Sequence, residues 1–203
     1  DSLPSDLGVW LVQRELEAQA GRGAAAVTAL FEVKGAASGG TIASMFGLMD
    51  EAAGDRAIRR LLLDPYALDP AGTPRGDDRD VRGPGYDRTL GAFTAPFVMA
   101  SVNARVVRRS HALRGQPWGR GWRYDERMGM PGTARGAGLA LAITGGLAGF
   151  IAATQVPPLR RALEARLPKP GEGPSPAQRA RGRYRARLHG TVDGGEQCDD
   201  GNT

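Results

Sequence analysis

Cysteine, histidine and lysine are all scarce in this sequence, and the shortages remove several classes of protein. One cysteine in 203 residues allows no internal disulfide, which excludes a disulfide-rich scaffold. Only two histidines are present, His111 and His189, and they are too few and too isolated to predict a metal site. No Gly-X-Y period or heptad runs through the chain, which excludes collagen and a long coiled coil.

Lysine supplies only two of the 27 basic residues, so arginine carries the positive balance of +5. A bias this strong can reflect genomic base composition, so it is weak support for a binding task. The hydrophobic share of 41% is too high for a fully disordered chain, although aromatic residues make up only 6%. Glycine and proline number 30 and 14, about twice their usual share, which predicts one domain with irregular segments.

Both ends of the chain look like interior sequence. It starts at Asp1 rather than at a methionine, and no charged segment followed by an apolar segment precedes the first element. We therefore expect no secretory signal. We interpret the chain as an internal portion of a longer protein.

Hydrophobic periodicity predicts an α+β fold, a largely antiparallel sheet covered by helices. Alternation of residue type indicates strands at 26–34, 118–130 and 182–192. In the second of these strands Trp122 and Tyr124 share one face, and charged residues occupy the other.

Three helices are expected from apolar residues at helical spacing. The first follows a cap at Ser5 or Asp6 and ends at Gly21. The second ends at Gly54. The third begins at Pro96, because proline suits the first turn of a helix.

Two segments have unusual composition. Prolines, glycines and alternating charges over 64–94 predict a long surface loop. The run 136–159 has no charged residue and is rich in Ala and Gly, which predicts one long apolar helix. Such a helix would be about 36 Å long, enough to span a hydrocarbon core of roughly 30 Å. Gly145 and Gly149 permit close helix contact.

Four stretches resemble the saccharopine dehydrogenase-like oxidoreductases. They are Asp-Ser-Leu-Pro-Ser-Asp-Leu-Gly at 1–8, Ser-Gly-Gly-Thr-Ile-Ala-Ser at 38–44, Ala-Pro-Phe-Val-Met-Ala-Ser-Val-Asn-Ala-Arg-Val-Val-Arg-Arg-Ser at 95–110, and Leu-Pro-Lys-Pro-Gly-Glu-Gly-Pro-Ser at 167–175. Their order and spacing agree with the family. The resemblance covers the chain to about Gly195.

The resemblance implies a two-domain enzyme in which an N-terminal Rossmann domain binds NADPH or NADH. This chain lacks the family's Gly-rich nucleotide motif, so 1–195 is expected to be the substrate or association domain, inactive alone. The tail 196–203 departs from the family and is left unassigned. Bacterial members include trans-acting enoyl reductases of lipid and glycolipid synthesis.

On this basis the chain is predicted to be part of a nicotinamide-dependent oxidoreductase that acts on a lipid-like, enoyl substrate. We expect a cytoplasmic homodimer that associates with a membrane surface or lipid droplet through 136–159. Two alternatives remain open. One is a non-catalytic membrane or lipid-droplet association module, and the other is a soluble dimerisation domain in which 136–159 is buried.

Candidate site residues come from the four stretches and from one aromatic strand. Tyr124 is the nearest candidate for a general acid, although packing beside Trp122 is the plainer interpretation. Residues that would face substrate or cofactor are Ser2, Pro4, Ser5, Asp6, Ser38, Gly39, Gly40, Thr41, Asn103, Arg105, Arg108 and Arg109. The stretch 38–41 precedes a helix N-terminus and would favour an anion, or it is only a tight turn that lets the helix pack.

The arginines of the third helix repel one another unless a negative group faces them. That group would be a substrate phosphate, an anionic lipid headgroup or the carboxylates of a partner protein, and a solvated face is the plainer interpretation. The basic strand with Arg183, Arg185 and Arg187 has Tyr184 on the opposite face. Since nucleic-acid modules pair such charge with aromatics on one face, we predict no nucleic-acid binding.

Overall fold

A computed structural model describes residues 2–35 and 38–192. Within those ranges the chain forms five strands and seven helices. They are, in chain order, α1 (Leu3–Ala20), β1 (Ala26–Lys34), α2 (Gly39–Gly54), α3 (Arg56–Leu63), β2 (Gly85–Asp87), β3 (Ala92–Pro96), α4 (Ala100–Leu113), β4 (Arg123–Met130), α5 (Ala134–Thr154), α6 (Pro157–Glu164), α7 (Pro176–Arg181) and β5 (Arg183–Thr191). The unassigned tail, residues 196–203, lies outside the described residues.

The five strands form one sheet in the order β2-β3-β4-β1-β5. Three of its neighbouring pairs are antiparallel, and only β1 and β4 run parallel. The predicted α+β fold with a mostly antiparallel sheet is therefore confirmed. The long apolar Ala/Gly-rich helix is present as α5.

The sheet is strongly curled. Flat strands about 4.8 Å apart would hold β2 roughly 19 Å from β5. Instead the imidazole Nε2 of His189 on β5 lies 2.7 Å from Oδ2 of Asp87 on β2. The concave face is mostly polar, with Leu30 buried on it, and carries the ion pairs Arg127–Asp125 and Arg187–Glu32. Burial works to raise the pKa of Asp87, but the Leu90 amide and His189 outweigh it and hold that pKa below its usual value.

The hydrophobic core lies on the convex face. Val27, Ala29 and Phe31 of β1 alternate toward it and pack against Val9 of α1 and Val107 of α4. All five are essentially inaccessible to solvent. The period of two in β1 and the helical spacing in α1 and α4 bring one apolar stripe from each element to this layer.

Helix α5 covers a second part of the convex face. Ala140 packs against Ala95 of β3 and Met130 of β4. Most of α5 is exposed, including Leu141 and Ile151. In the described ranges, α5 is the one helix that is long and apolar enough to cross a membrane. It has 21 residues, and its most apolar 18-residue stretch has a mean hydropathy of 1.7 and is 11% buried.

Two of the three predicted strands are confirmed. β1 matches 26–34, and β5 differs from 182–192 by one residue at each end. The prediction 118–130 is wrong at its start, since β4 begins at Arg123. The chain turns at Gly119, whose φ of 87° is left-handed, and this turn lets Trp118 stack on His111.

The predicted helix starts need correction. Pro96 ends β3 opposite Arg127 rather than opening a helix. It lies beyond the part of β3 that pairs with β2, so its missing N–H costs no sheet hydrogen bond. The first helix begins at Leu3, so Ser5 and Asp6 lie inside its first turns and do not cap it.

The two unusual segments also differ from expectation. The range 64–94 holds β2 and the start of β3, so the irregular loop is confined to 64–84. The run 136–159 is divided, because Pro157 ends the path of α5 and opens α6. The short helices α3 and α7 were not expected; a capping box between Ser175 and Gln178 opens α7.

Candidate functional site

A buried carboxyl group lies at the centre of the candidate site. Glu126 of β4 is 1% exposed and lies on the same strand face as Tyr124. The Tyr124 hydroxyl donates to Oε1 of Glu126 at 2.8 Å. The side-chain amide of Asn103, on α4, donates to Oε2 at 2.9 Å. The carboxylate therefore accepts from two different elements.

The chain of hydrogen bonds continues to the start of α1. The Ser2 hydroxyl donates to Oδ1 of Asn103 at 3.0 Å. Ser2 is half-buried, whereas Asn103, Tyr124 and Glu126 are buried. Ser2 is thus the member of this four-residue chain that a ligand can reach.

Burial dominates the electrostatics of the site. It raises the pKa of Glu126, and the neighbouring Ser5, Tyr124, Asn103 and Arg108 oppose that rise. Burial and the adjacent Glu126 charge raise the pKa of Tyr124 as well. Tyr124 therefore keeps its proton, which points at Glu126 rather than at open space.

Several predicted site residues are brought together here. Ser2, Ser5, Asn103 and Tyr124 surround Glu126. Asp6 lies one turn further along α1 and accepts from Ser110 of α4 at 3.0 Å. Pro4 lies in the first turn of α1. The stretches 1–8 and 95–110 thus meet at one site.

The predicted stretch 38–41 lies at the N-terminus of α2, against another stretch of the resemblance. Ser38 caps the helix by accepting from the Thr41 amide. The Gly39 amide donates to the Glu172 carbonyl at 2.8 Å. A Cβ at Gly39 would lie 1.7 Å from the Lys169 carbonyl oxygen. This is the geometry of a packing turn, and anion binding at Gly40 and Thr41 stays a prediction.

The arginines of α4 bind the protein's own loop. Arg105 pairs with Asp80 at 2.9 Å, and Arg108 pairs with Asp78 at 2.8 Å. The expected solvated face is wrong for these two residues, which are 6% and 3% exposed. Acidic residues of the 64–84 loop fold back over them. Arg109 is exposed and donates to the Leu68 carbonyl.

Sequence reasoning missed Glu126. Its position carried a signal, because Glu126 is two residues from Tyr124 and so belongs to the apolar face of the strand. A carboxyl on such a face needs hydrogen-bond partners. Among residues 2–35 and 38–192, no group of three His, Cys, Asp or Glu side chains is placed to hold a metal ion.

An open groove of about 410 Å³ lies between α1 and α4, next to the site. Apolar side chains line most of it, including Leu7, Trp10, Val107 and Trp118. The Asp6–Ser110 hydrogen bond lies at its polar side. Asp6, at the polar side of the groove, lies one helical turn from Ser2 on α1.

These features define a curled, mostly antiparallel α+β domain with a buried polar site, and curated proteins are similar to almost all of it. A Mycobacterium tuberculosis protein, provisionally named trans-acting enoyl reductase, is 38% identical over 211 aligned positions, covering 96% of this chain and 49% of that protein. The trans-acting enoyl reductases of Mycobacterium bovis and Mycobacterium ulcerans are each 36% identical, covering 96% of this chain and 50% of each relative.

The chain spans about half the length of the curated relatives it matches. No family model matches it, and no solved structure matches it at a significant level.

Proposed function

We propose that this chain is the substrate half of a nicotinamide-dependent enoyl reductase of the saccharopine dehydrogenase-like type. The supporting observation is its similarity, over 96% of its length, to proteins named trans-acting enoyl reductases. The site geometry adds support, because the four stretches that carry the resemblance meet in two pairs: 1–8 with 95–110, and 38–44 with 167–175. The substrate would be a lipid-like acyl group in lipid or glycolipid metabolism.

In this proposal the dinucleotide is bound mainly by the other half of the protein. The stretch 38–41 follows β1 and opens α2, as a phosphate-binding turn would. However, Lys169 and Glu172 already cover Gly39. When bound by the other half of the protein, NADPH or NADH would supply the hydride that reduces the carbon–carbon double bond.

In this proposal the groove between α1 and α4 holds the acyl chain. Its apolar lining suits a hydrocarbon tail, and Asp6 at its polar side lies one helical turn from Ser2 on α1. The α-carbon must gain a proton as the β-carbon gains hydride. The residues 2–6 and Asn103 would position the substrate for that transfer.

The intact natural protein should oxidise NADPH when given crotonyl-CoA. Because the Tyr124 hydroxyl is buried and directed at Glu126, we expect Tyr124→Phe to lower kcat less than about 10-fold. Removal of a general acid costs about 100-fold or more. Stopped-flow absorbance at the nicotinamide band measures NADPH oxidation by the wild-type protein and by the Tyr124→Phe variant.

A loss of about 100-fold in Tyr124→Phe, with an unchanged melting temperature, would return the phenol to the role of proton donor. Absence of any NADPH oxidation by the wild-type protein, over a series of enoyl thioesters, would contradict the enzyme proposal itself.

Exposed α5 supports a second candidate, association with a membrane surface or lipid droplet. Leu141 and Ile151 are 63% and 45% exposed, and arginines flank both ends of the 136–159 run. We propose a cytoplasmic homodimer that rests on the membrane through this helix, with no nucleic-acid partner. An apolar substrate is already dissolved there.

Flotation with phosphatidylglycerol vesicles tests the membrane contact. We expect the intact protein to float, and Leu141→Glu with Ile151→Glu to reduce the floating fraction at least about fivefold, since apolar burial drives such binding. Leu113→Glu, an equally exposed change on α4, should have no effect. Protein that stays at the bottom as a monodisperse dimer would favour the buried-interface alternative.

A further inference from the structure

The four hydrogen-bonded residues Ser2, Asn103, Glu126 and Tyr124 form a series. The innermost member, Glu126, sets the direction of the other hydrogen bonds. Both oxygens of Glu126 accept: Oε1 from the Tyr124 hydroxyl and Oε2 from the side-chain amide of Asn103. Asn103 must therefore turn its NH2 group inward to Glu126. Its carbonyl oxygen then points outward, toward Ser2.

This orientation determines what Ser2 can offer. The Ser2 hydroxyl has one proton, and that proton is committed to Oδ1 of Asn103 at 3.0 Å. Only the lone pairs of Ser2 Oγ remain for a ligand. Ser2 is the half-buried outer member of the chain, so these lone pairs are the part that a ligand meets.

We infer that Asn103 and Glu126 are positioning residues that make Ser2 an obligate hydrogen-bond acceptor, which selects substrates presenting an N–H donor beside the reacting acyl group. The inference rests on the proposed function. An acyl thioester on a pantetheine arm carries amide N–H groups a few bonds from its sulfur, and it fits this requirement. A thioester of a simple alkane thiol does not.

Two small thioesters provide the measurement. Crotonyl-N-acetylcysteamine carries one amide N–H, and S-butyl thiocrotonate has none. We define the donor preference as the ratio of their kcat/KM values in the intact natural protein. Partial unfolding cannot change this ratio, because it scales both values alike.

Glu126→Gln is the informative change. The NH2 of the new glutamine would face Asn103, which must then rotate and point its own NH2 at Ser2, freeing the Ser2 proton. The glutamine could instead turn its NH2 to Tyr124, but only if the Tyr124 hydroxyl rotates and donates its hydrogen bond to the neighbouring Ser5 hydroxyl. The test therefore uses a Ser5→Ala background.

In that background we expect Glu126→Gln to lower the donor preference about 10-fold, the usual effect of losing one hydrogen bond. Adding Asn103→Asp should restore it to within about threefold, because the introduced carboxylate accepts from both the new glutamine and Ser2. Ser2→Ala should abolish the preference. Glu15→Gln, an exposed carboxyl-to-amide change on α1, is the matched control and should leave it unchanged.

A donor preference that survives Ser2→Ala, or one that Asn103→Asp fails to restore in folded protein, would overturn the inference. If the wild-type protein reduces neither thioester, the proposed function fails separately. In that case melting temperatures test the direction of the hydrogen bonds. Asn103→Asp and Glu126→Gln should each lower the melting temperature, and the double variant should regain the wild-type value. Additive losses would contradict the assigned directions.

Discussion

Replacing Arg108 by Gln is expected to lower the free energy of unfolding by about 3–5 kcal/mol, the usual result of removing one partner of a buried ion pair. The Arg108 side chain is 3% exposed and pairs with Asp78, which is 9% exposed. It also donates to the carbonyls of Tyr124 at 3.0 Å and Pro65 at 3.2 Å. Glutamine cannot reach these partners together, so the buried Asp78 loses its cation and keeps only its hydrogen bonds from the Tyr124 and Arg79 amides. Urea unfolding followed by tryptophan fluorescence measures the change.

Two further variants separate this pairing from a general effect of losing charge. Asp78→Asn should reduce the cost of Arg108→Gln by at least about 1 kcal/mol in the double variant, because no carboxylate is then left buried. Arg109→Gln, on the exposed side of α4, should cost less than about 1 kcal/mol. Equal effects of the two arginine variants would show that the loop does not depend on Arg108.

Replacing Gly39 by Ala is expected to cost about 2–3 kcal/mol and to release the 168–172 segment. The added Cβ would lie 1.7 Å from the Lys169 carbonyl oxygen and 2.3 Å from its carbon. Backbone atoms cannot yield as a side chain would, so the segment must move and the Gly39–Glu172 hydrogen bond breaks. Cleavage by endoproteinase Lys-C at Lys169, compared with the wild type, reports the release.

Gly40→Ala is the matched control in the same turn. Its added Cβ would meet nothing closer than the Ser38 hydroxyl at 3.9 Å. Alanine also favours the helix by about 1 kcal/mol over glycine, so this variant should be neutral or more stable. Similar cleavage rates in the two variants would contradict the tight packing at Gly39.

The regular elements could be predicted where local pattern decides them. Val27, Ala29 and Phe31 of β1 alternate toward the convex core, and only the buried Leu30 departs from the polar pattern of the other face, so the limits of β1 follow from side-chain type. α4 was misplaced because Pro96 suits both a helix start and a strand end, and only its pairing with β4 decides between them. The start of β4 depended on the turn at Gly119, which tertiary packing selects.

The candidate site could be predicted only in part. Ser2, Ser5, Asn103 and Tyr124 were chosen through the resemblance and the aromatic strand, and they meet around one carboxyl. Glu126 was missed, because the partner that satisfies its buried carboxyl, Asn103, comes from α4 and reaches it only through tertiary folding. The partners of Arg105 and Arg108 could not be predicted, since a loop some 25–30 residues earlier reaches them through tertiary folding.

The curl of the sheet affects whether the edge strands of two copies of this chain can pair with each other. β5 is an edge strand of nine residues, long enough to template addition of a foreign strand and so to seed fibrils. Arg183, Arg185 and Arg187 line it, and a second copy laid alongside would bring like charges together. The opposite rim, β2, has only three residues and is tied to β5 through His189. The architecture thus discourages self-templated polymerisation at both borders.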